Sequence, residues 1–171
     1  RTRMAIAAWA GRESRVPSGL APLPPVRATG VISGPPTSSR ASFLGLIGFL
    51  VLCLGVSWIA AWATSTSVGT WYQTLAKPDF TPGDGVFAPV WLTLYIVMAL
   101  AGWRIWRKEG LAGAGVALTL FVVQLALNML WSIWFFGMQQ IGWALIDIVL
   151  LWFAIAATIV AFWRIDVFAA V

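Results

Sequence analysis

Four long apolar segments dominate the chain, and each is close to the ~20 residues that a helix needs to cross the hydrocarbon core of a bilayer. They cover residues 43–63, 86–106, 111–138 and 141–163. The loop 64–85 joins the first two segments, whereas only 107–110 and 139–140 separate the later ones. Because short connections make neighbouring helices antiparallel, the pattern predicts an all-α polytopic transmembrane bundle with four spans within residues 42–171.

Residues 1–41 have a different composition from the rest of the chain. They hold six of the nine prolines, with Ser, Thr and Gly between them, and such a composition cannot bury enough apolar surface to become ordered. We therefore predict a disordered, basic, Pro-rich tail. It is Arg-rich and acid-poor, as transit peptides are. Because the chain opens with Arg1 rather than Met, a fragment or an over-extended gene start is an equal alternative.

Composition and charge support a membrane protein. Of the residues, 60% are hydrophobic and 10% are charged, whereas soluble domains are about 45–50% apolar and about 25% charged. Residues 1–40 hold six Arg and one Glu, which accounts for the net charge of +5. A basic balance confined to a tail argues against a folded nucleic-acid-binding face. By the positive-inside rule, the amino terminus is predicted to be cytoplasmic and the first loop external.

Several kinds of chemistry are excluded by the lack of histidine and the scarcity of cysteine. The chain has no histidine and a single cysteine, Cys53. A catalytic triad, a His-ligated metal and a His-ligated haem therefore cannot be built, and neither can an intramolecular disulfide or a Cys-rich metal site. We predict no metal site and no required cofactor.

Aromatic and polar residues form one stripe on each of the last three segments. The stripes are Trp91, Tyr95 and Met98; Gln124, Asn128 and Trp131; and Trp143 with Asp147. Antiparallel helices bring most of them together beneath the first loop, and polar side chains in membrane helices face protein or water. A ligand pocket and an ordinary packed core with interhelical hydrogen bonds are equal alternatives. We expect a structural or ligand-orienting role for Asp147, because no second buried charge completes a proton pathway.

Several motifs occur in a familiar order. They are Trp71-Tyr72, Lys77-Pro78, Phe87-Ala88-Pro89-Val90-Trp91, Leu94-Tyr95, Gln124-Leu125-Ala126-Leu127-Asn128, Trp131, Phe135-Phe136-Gly137 and Trp143-Ala144-Leu145. With them the sequence resembles the TspO/MBR family, the tryptophan-rich sensory proteins that include the mitochondrial translocator protein. The chain departs from the family at Pro82-Gly83, Gly85 and Ile133. The family has five transmembrane helices, whereas this chain stops where the fifth is expected to begin, so we expect either a truncated chain or an incomplete pocket.

The resemblance implies a bundle that binds planar or bulky apolar molecules, namely porphyrin, haem and other tetrapyrroles, sterols such as cholesterol, and isoquinoline or benzodiazepine drugs. The pocket residues carried over by motif are Ala88, Trp91, Asn128, Trp131, Trp143 and Ala144, to which the stripes add Tyr95 and Asp147. The implied lid holds Trp71, Lys77 and Pro78. Lys77 either meets a porphyrin propionate or marks the membrane surface. The resemblance also implies a homodimer, for which the small pair Gly113 and Ala117 is our predicted face.

Three functions remain open on the sequence alone. The first is a tetrapyrrole receptor or sensor without turnover. The second is an enzyme that degrades bound porphyrin with light and oxygen, with Trp91 and Trp143 supplying electrons or radicals. The third is an inactive fragment. The expected location is a bacterial inner membrane, or the mitochondrial outer membrane if the source is eukaryotic.

Overall fold

A computed structural model of the chain describes residues 38–78 and 83–170, apart from the side chain of Asp84. Most of the predicted tail lies outside these residues. The first helix, α1, spans Ser39–Ser65, so residues 39–41 belong to a helix and not to the tail. The reason is Ser38, whose Oγ accepts a hydrogen bond from the Ala41 N–H at 3.3 Å and caps the helix start.

The four predicted spans are confirmed. After α1, the chain forms α2 (Phe87–Gly113), α3 (Gly115–Ser132) with a π-helical turn at Ile133–Gly137, and α4 (Ile141–Trp163). These four are long and apolar enough to cross a membrane. Two 3₁₀ turns, Trp71–Thr74 and Asp84–Val86, lie in the first loop, and a short helix α5 (Val167–Ala170) follows α4. The end of the bundle that carries the first loop is called the loop end below, and the opposite end the amino-terminal end.

The connection between α2 and α3 lies further along the chain than predicted. Residues 107–109 continue α2, and the backbone leaves helical geometry at Gly110 (φ +66°, ψ −174°), a conformation that glycine adopts without a Cβ penalty. The predicted joint 107–110 is therefore wrong in extent, although Gly110 does interrupt the helix. The Arg107 guanidinium lies 4.4 Å from the centre of the Trp103 ring one turn earlier, a cation–π contact that favours continuing the helix.

Small residues let α1 and α2 approach closely. A Cβ placed on Gly45 would lie 2.1 Å from the Trp106 ring, and one on Gly102 would lie 2.8 Å from the Phe49 ring. The α1 helix also packs on α3, which in turn packs on α4. The buried core between these helices includes Cys53, Tyr95, Ala99, Ile105, Phe121 and Leu125. This packing leaves α2 and α4 on either side of a groove whose base is α3.

Asp166 ties α5 to α2 at the amino-terminal end. Its Oδ2 accepts a hydrogen bond from Arg104 Nη2 at 2.8 Å, and its Oδ1 accepts one from the Phe168 N–H at 2.9 Å. Burial works to raise the pKa of the Asp166 carboxyl, but these two hydrogen bonds and the charges of Arg104 and Lys108 lower the pKa below its ordinary value. Lys108 Nζ also donates to the Ile165 carbonyl at 2.7 Å. The start of α5 is thus held against α2 by charge-assisted hydrogen bonds.

Candidate ligand-binding groove

The groove between α2 and α4 has a volume of about 480 Å³, which is within the range of small-molecule sites. From α2 it is lined by Trp91, Leu94, Val97, Met98 and Ala101; from α3 by Phe121, Gln124 and Asn128; and from α4 by Ile148, Leu151, Trp152, Ile155, Thr158, Ile159 and Phe162. Ala169 and Ala170 of α5 line it at the amino-terminal end. Its surface is thus mainly apolar and aromatic.

The groove lining includes three polar side chains, those of Gln124, Asn128 and Thr158. The Tyr95 hydroxyl donates a hydrogen bond to Asn128 Oδ1 at 2.6 Å, which fixes the orientation of that amide. Gln124 Nε2 points to Met98 Sδ at 3.6 Å, a weak acceptor. The Thr158 hydroxyl donates to the Ala154 carbonyl of its own helix at 2.7 Å. The two amides are therefore the polar features available to a bound molecule.

The groove is open at its side, where the bilayer would lie. Trp152, Val97 and Ile159 on its rim have exposed fractions of 69%, 50% and 44%. By contrast, Gln124 and Asn128 at the base are only 4% and 8% exposed. A molecule in the groove would contact lipid along one side and the two amides on the other.

The structure separates the aromatic and polar residues that the sequence predicts beneath the first loop. Trp91 and Asn128 line the groove, and Tyr95 is buried behind Asn128. Trp131 stacks on Phe135, with ring centres 5.2 Å apart, and Trp143 stacks on Trp134 at 6.0 Å. Neither of these two tryptophans is among the residues that line the groove, and Trp143 is 58% exposed.

The remaining predicted pocket residues lie on the packed face of α4 or near the start of α2. Ala144 and Asp147 are buried, with exposed fractions of 2% and 6%, as is Ala154 further along the same helix. Within the described residues, Asp147 Oδ2 has no hydrogen-bond partner. Ala88 is exposed in the first turn of α2. None of these three residues is in the groove lining.

The predicted lid residues lie at the loop end. Trp71 meets Phe135 edge-on at 5.5 Å, and Pro78 is exposed. Lys77 Nζ lies 4.3 Å from the centre of the Tyr72 ring and donates to Gln73 Oε1 at 2.9 Å. These contacts place Trp71 over the end of α3, and all three residues are outside the groove lining.

The π-helical turn that follows α3 holds the first loop at the loop end of the bundle. A π turn lengthens the hydrogen-bond ring by one residue, and here the Met138 N–H reaches the Ile133 carbonyl at 2.8 Å. The Phe136 carbonyl accepts a hydrogen bond from Ser67 Oγ at 2.7 Å, and the Ser67 side chain is buried. The turn after α1 is thus attached to the end of α3.

Comparison with known proteins identifies the family. Residues 49–171, well over half of the chain, match the family model described as the TspO/MBR family. The chain belongs to the TspO/MBR family. This confirms the resemblance drawn from the motifs, and together with the four apolar helices it makes the chain an integral membrane protein.

Individual TspO/MBR relatives match more than half of the chain. The chain is 41% identical over 119 residues to the tryptophan-rich protein TspO of Chlorobaculum tepidum, which is 67% of this chain and 73% of the relative. It is 43% identical over 102 residues to the human translocator protein, 58% of this chain and 60% of the relative. It is 41% identical over 101 residues to the tryptophan-rich sensory protein of Cereibacter sphaeroides, 59% of this chain and 62% of the relative. The match thus covers less than two thirds of the length of the last two.

The predicted dimer face of this TspO/MBR chain is divided between two environments. Gly113 is exposed at the end of α2, whereas Ala117 on α3 is 4% exposed and packs in the core of the same chain. Because Ala114 separates the two helices, the pair does not lie on one continuous helix surface. Dimerisation through this pair stays a prediction.

Sequence reasoning did not include several groove residues among the predicted pocket residues. Gln124 belonged to a predicted stripe and carried a usable signal, because it is a polar residue inside a span, one helical turn before Asn128, but it was not counted as a pocket residue. Trp152, Ile155 and Ile159 carried none, because an apolar face that lines a groove has the same composition as one that faces lipid.

Proposed function

We propose that this chain is a membrane receptor or sensor that binds a tetrapyrrole, or another apolar ligand such as a sterol, in the groove between α2 and α4. The observation that carries the proposal is the groove itself: a cavity of about 480 Å³ with aromatic walls and two amides at its base. Large apolar surfaces and a few fixed polar groups are what a flat macrocycle requires of a site. The names of the relatives, tryptophan-rich sensory protein and translocator protein, are consistent with a binding role.

The test is to fill the groove with one side chain. Ala101 lines the groove on α2, whereas Ala126 is exposed on α3 and outside the lining. Ala101→Trp and Ala126→Trp therefore introduce the same group at an inside and an outside position. Protoporphyrin is titrated into each protein in nanodiscs, and binding is followed by the change in porphyrin absorbance in the dark.

We expect saturable binding to the wild type and to Ala126→Trp, and affinity at least tenfold weaker for Ala101→Trp, which corresponds to a loss of about 1.4 kcal/mol. Equal affinity for the two variants would show that porphyrin binds somewhere else. A wild type without saturable binding of protoporphyrin or cholesterol would refute the receptor proposal.

Binding is favoured over turnover by the positions of two tryptophans. The enzymatic alternative needs Trp91 and Trp143 near the bound pigment, but Trp91 lines the groove while Trp143 stacks on Trp134 outside it. Porphyrin absorbance that is lost in light and preserved in Trp91→Phe, with binding unchanged, would revive the enzymatic alternative.

A further inference from the structure

On the amino-terminal side, the groove ends next to an ion pair between α2 and α5. Ala101 of α2 and Ala169 of α5 both line the groove at this end. Arg104 follows Ala101 by three residues, and Asp166 precedes Ala169 by three, which is about one helical turn in each case. The two charged side chains pair at 2.8 Å. A charged site thus lies about one turn beyond the apolar lining of the groove.

Arg104 keeps hydrogen-bonding capacity after it has paired with Asp166. Within the described residues, its Nη2 donates to Asp166 Oδ2, whereas a guanidinium carries five N–H groups. Its Nε is buried and has no hydrogen-bond partner there. The Arg104 side chain is 37% exposed and that of Asp166 only 9%. The cation, and not the carboxylate, is therefore the accessible member of the pair.

Lys108 adds a second cation one turn further along α2. Its side chain is 52% exposed, and its Nζ lies 3.7 Å from Asp166 Oδ2. One carboxylate thus faces two cations, so this site, called the cationic mouth below, has a net positive charge. The charged residues described at the amino-terminal end are five cations and two anions: Arg40, Arg104, Arg107, Lys108 and Arg164 with Glu109 and Asp166.

The groove has the length of a lipid acyl chain. Its lining on α4 runs from Ile148 to Phe162, which is about 21 Å at 1.5 Å per residue. One leaflet contributes about 15 Å of hydrocarbon, half of the ~30 Å core of a bilayer. The rim is exposed at Trp152 and Ile159, where a lipid can enter from the side. An acyl chain can therefore lie along the groove while its headgroup reaches the cationic mouth.

We propose that the groove holds one acyl chain of an anionic phospholipid from the leaflet at the amino-terminal end, and that Arg104 and Lys108 bind its phosphate. The second acyl chain stays in the bilayer, because the groove is open at its side. A phosphate accepts charge-assisted hydrogen bonds from guanidinium and ammonium groups and uses donors of Arg104 that Asp166 leaves unused. A zwitterionic headgroup has no net charge to match the mouth. This lipid site goes beyond the proposed function and does not require a tetrapyrrole ligand.

The experiment identifies the lipid that the protein retains. The full chain is purified in detergent and equilibrated with equimolar phosphatidylglycerol and phosphatidylcholine that have identical acyl chains. Native mass spectrometry then measures the mass that each retained lipid adds. We expect one phosphatidylglycerol per chain, preferred at least fivefold over phosphatidylcholine. That preference corresponds to the about 1 kcal/mol that one cation contributes near an anionic headgroup.

Two variants separate a defined site from general attraction between opposite charges. The double variant Arg104→Gln/Asp166→Asn removes both charges of the pair, leaves the net charge of the chain unchanged and still allows a hydrogen bond between the two amides. Arg107→Gln lowers the net charge by one at a side chain that stacks on Trp103. We expect phosphatidylglycerol retention to fall at least fivefold in the double variant and to stay at the wild-type level in Arg107→Gln. Protection of the buried Cys53 thiol checks folding.

Two further comparisons test the second cation and the acyl chain. Lys108→Gln lowers the net charge by one, as Arg107→Gln does, but only Lys108→Gln should reduce retention, and this comparison does not depend on the folding of the double variant. Ala101→Trp fills the groove beside the cationic mouth, whereas Ala126→Trp adds the same group outside the lining. We expect only Ala101→Trp to lose the lipid.

The outcomes separate the parts of the proposal. Wild-type retention by the folded double variant and by Lys108→Gln, or a larger loss in Arg107→Gln, would overturn the phosphate site. Equal retention by Ala101→Trp and Ala126→Trp would overturn the position of the acyl chain. Equal retention of the two lipids by the wild type would overturn the selection of an anionic headgroup. None of these results changes the porphyrin titrations that test the receptor proposal, so failure of one proposal is distinguishable from failure of the other.

Discussion

Gly45 provides a sharp test of the packing of α1 on α2. A Cβ at this position would lie 2.1 Å from the Trp106 ring, whereas ordinary contact begins near 3.4 Å, so the ring would have to retreat by about 1.3 Å. Gly48, on the same helix, has nothing within 4 Å of an added Cβ. The substitutions Gly45→Ala and Gly48→Ala thus change the same atoms in a crowded and an open environment.

Backbone entropy changes the free energy of unfolding of both variants, whereas overpacking changes that of only one. Both gain roughly 0.5–1 kcal/mol because alanine loses less backbone entropy than glycine in a helix. Only Gly45→Ala overpacks the interface, and overpacking typically costs about 1–3 kcal/mol. We therefore expect Gly48→Ala to be neutral or slightly stabilising, and Gly45→Ala to have a free energy of unfolding about 1–3 kcal/mol lower than Gly48→Ala.

The assay uses the single cysteine of the chain. Cys53 is fully buried, so a dye that fluoresces on reaction with thiols reports unfolding during heating in detergent. The assay needs no introduced cysteine, and both variants retain Cys53. If Gly45→Ala unfolds at the same temperature as Gly48→Ala, the close approach of α1 and Trp106 is refuted.

Three further predictions concern individual hydrogen bonds. Tyr95→Phe leaves Asn128 Oδ1 without its donor and should lower stability by about 0.6 kcal/mol, the average for interhelical hydrogen bonds in membranes, and by at most about 1.7 kcal/mol; an unchanged unfolding temperature would contradict it. Ser67→Ala removes a buried bond to the π-helical turn and should cost about 1–2 kcal/mol in the same assay, whereas the exposed Thr74→Ala should cost less. Because the folded-state pKa of Asp166 is lowered, its stabilisation is present above the ordinary carboxyl value of 3.8 and is lost as the pH falls below that value. Asp166→Asn should remove this acid-dependent loss from the pH profile of thermal stability, and a profile identical to the wild type would exclude the Arg104 pairing.

Helical period and hydropathy were enough to predict the four spans and the inward face of α2. Trp91, Tyr95 and Met98 follow the spacing i, i+4, i+7, and the structure buries Tyr95 while the other two line the groove. The interruption at Gly110 was equally readable, because a glycine after a charged turn favours a break in a helix, although α2 resumes and ends at Gly113. These features depend on local sequence alone.

Other features depend on how separate helices are rotated against one another. Trp143 has the same relation to Asp147 as Trp91 has to Tyr95, yet it faces away from the groove, since the turn at Ile133–Gly137 and the short link to α4 set the rotation of that helix. The pairing of Arg104 with Asp166 was also unpredictable. The two residues are 62 positions apart, and no local pattern connects them.

The sideways opening of the groove changes what a binding constant means for this protein. A ligand that passes the exposed rim formed by Trp152, Val97 and Ile159 arrives from the hydrocarbon phase and not from water. The fraction of protein with an occupied groove then depends on the number of ligand molecules per lipid molecule. Doubling the lipid at fixed protein and fixed total ligand dilutes an apolar ligand about twofold in that phase, although the volume of the sample is unchanged. Affinities for this groove are therefore comparable between preparations only when they are expressed as mole fractions in the bilayer.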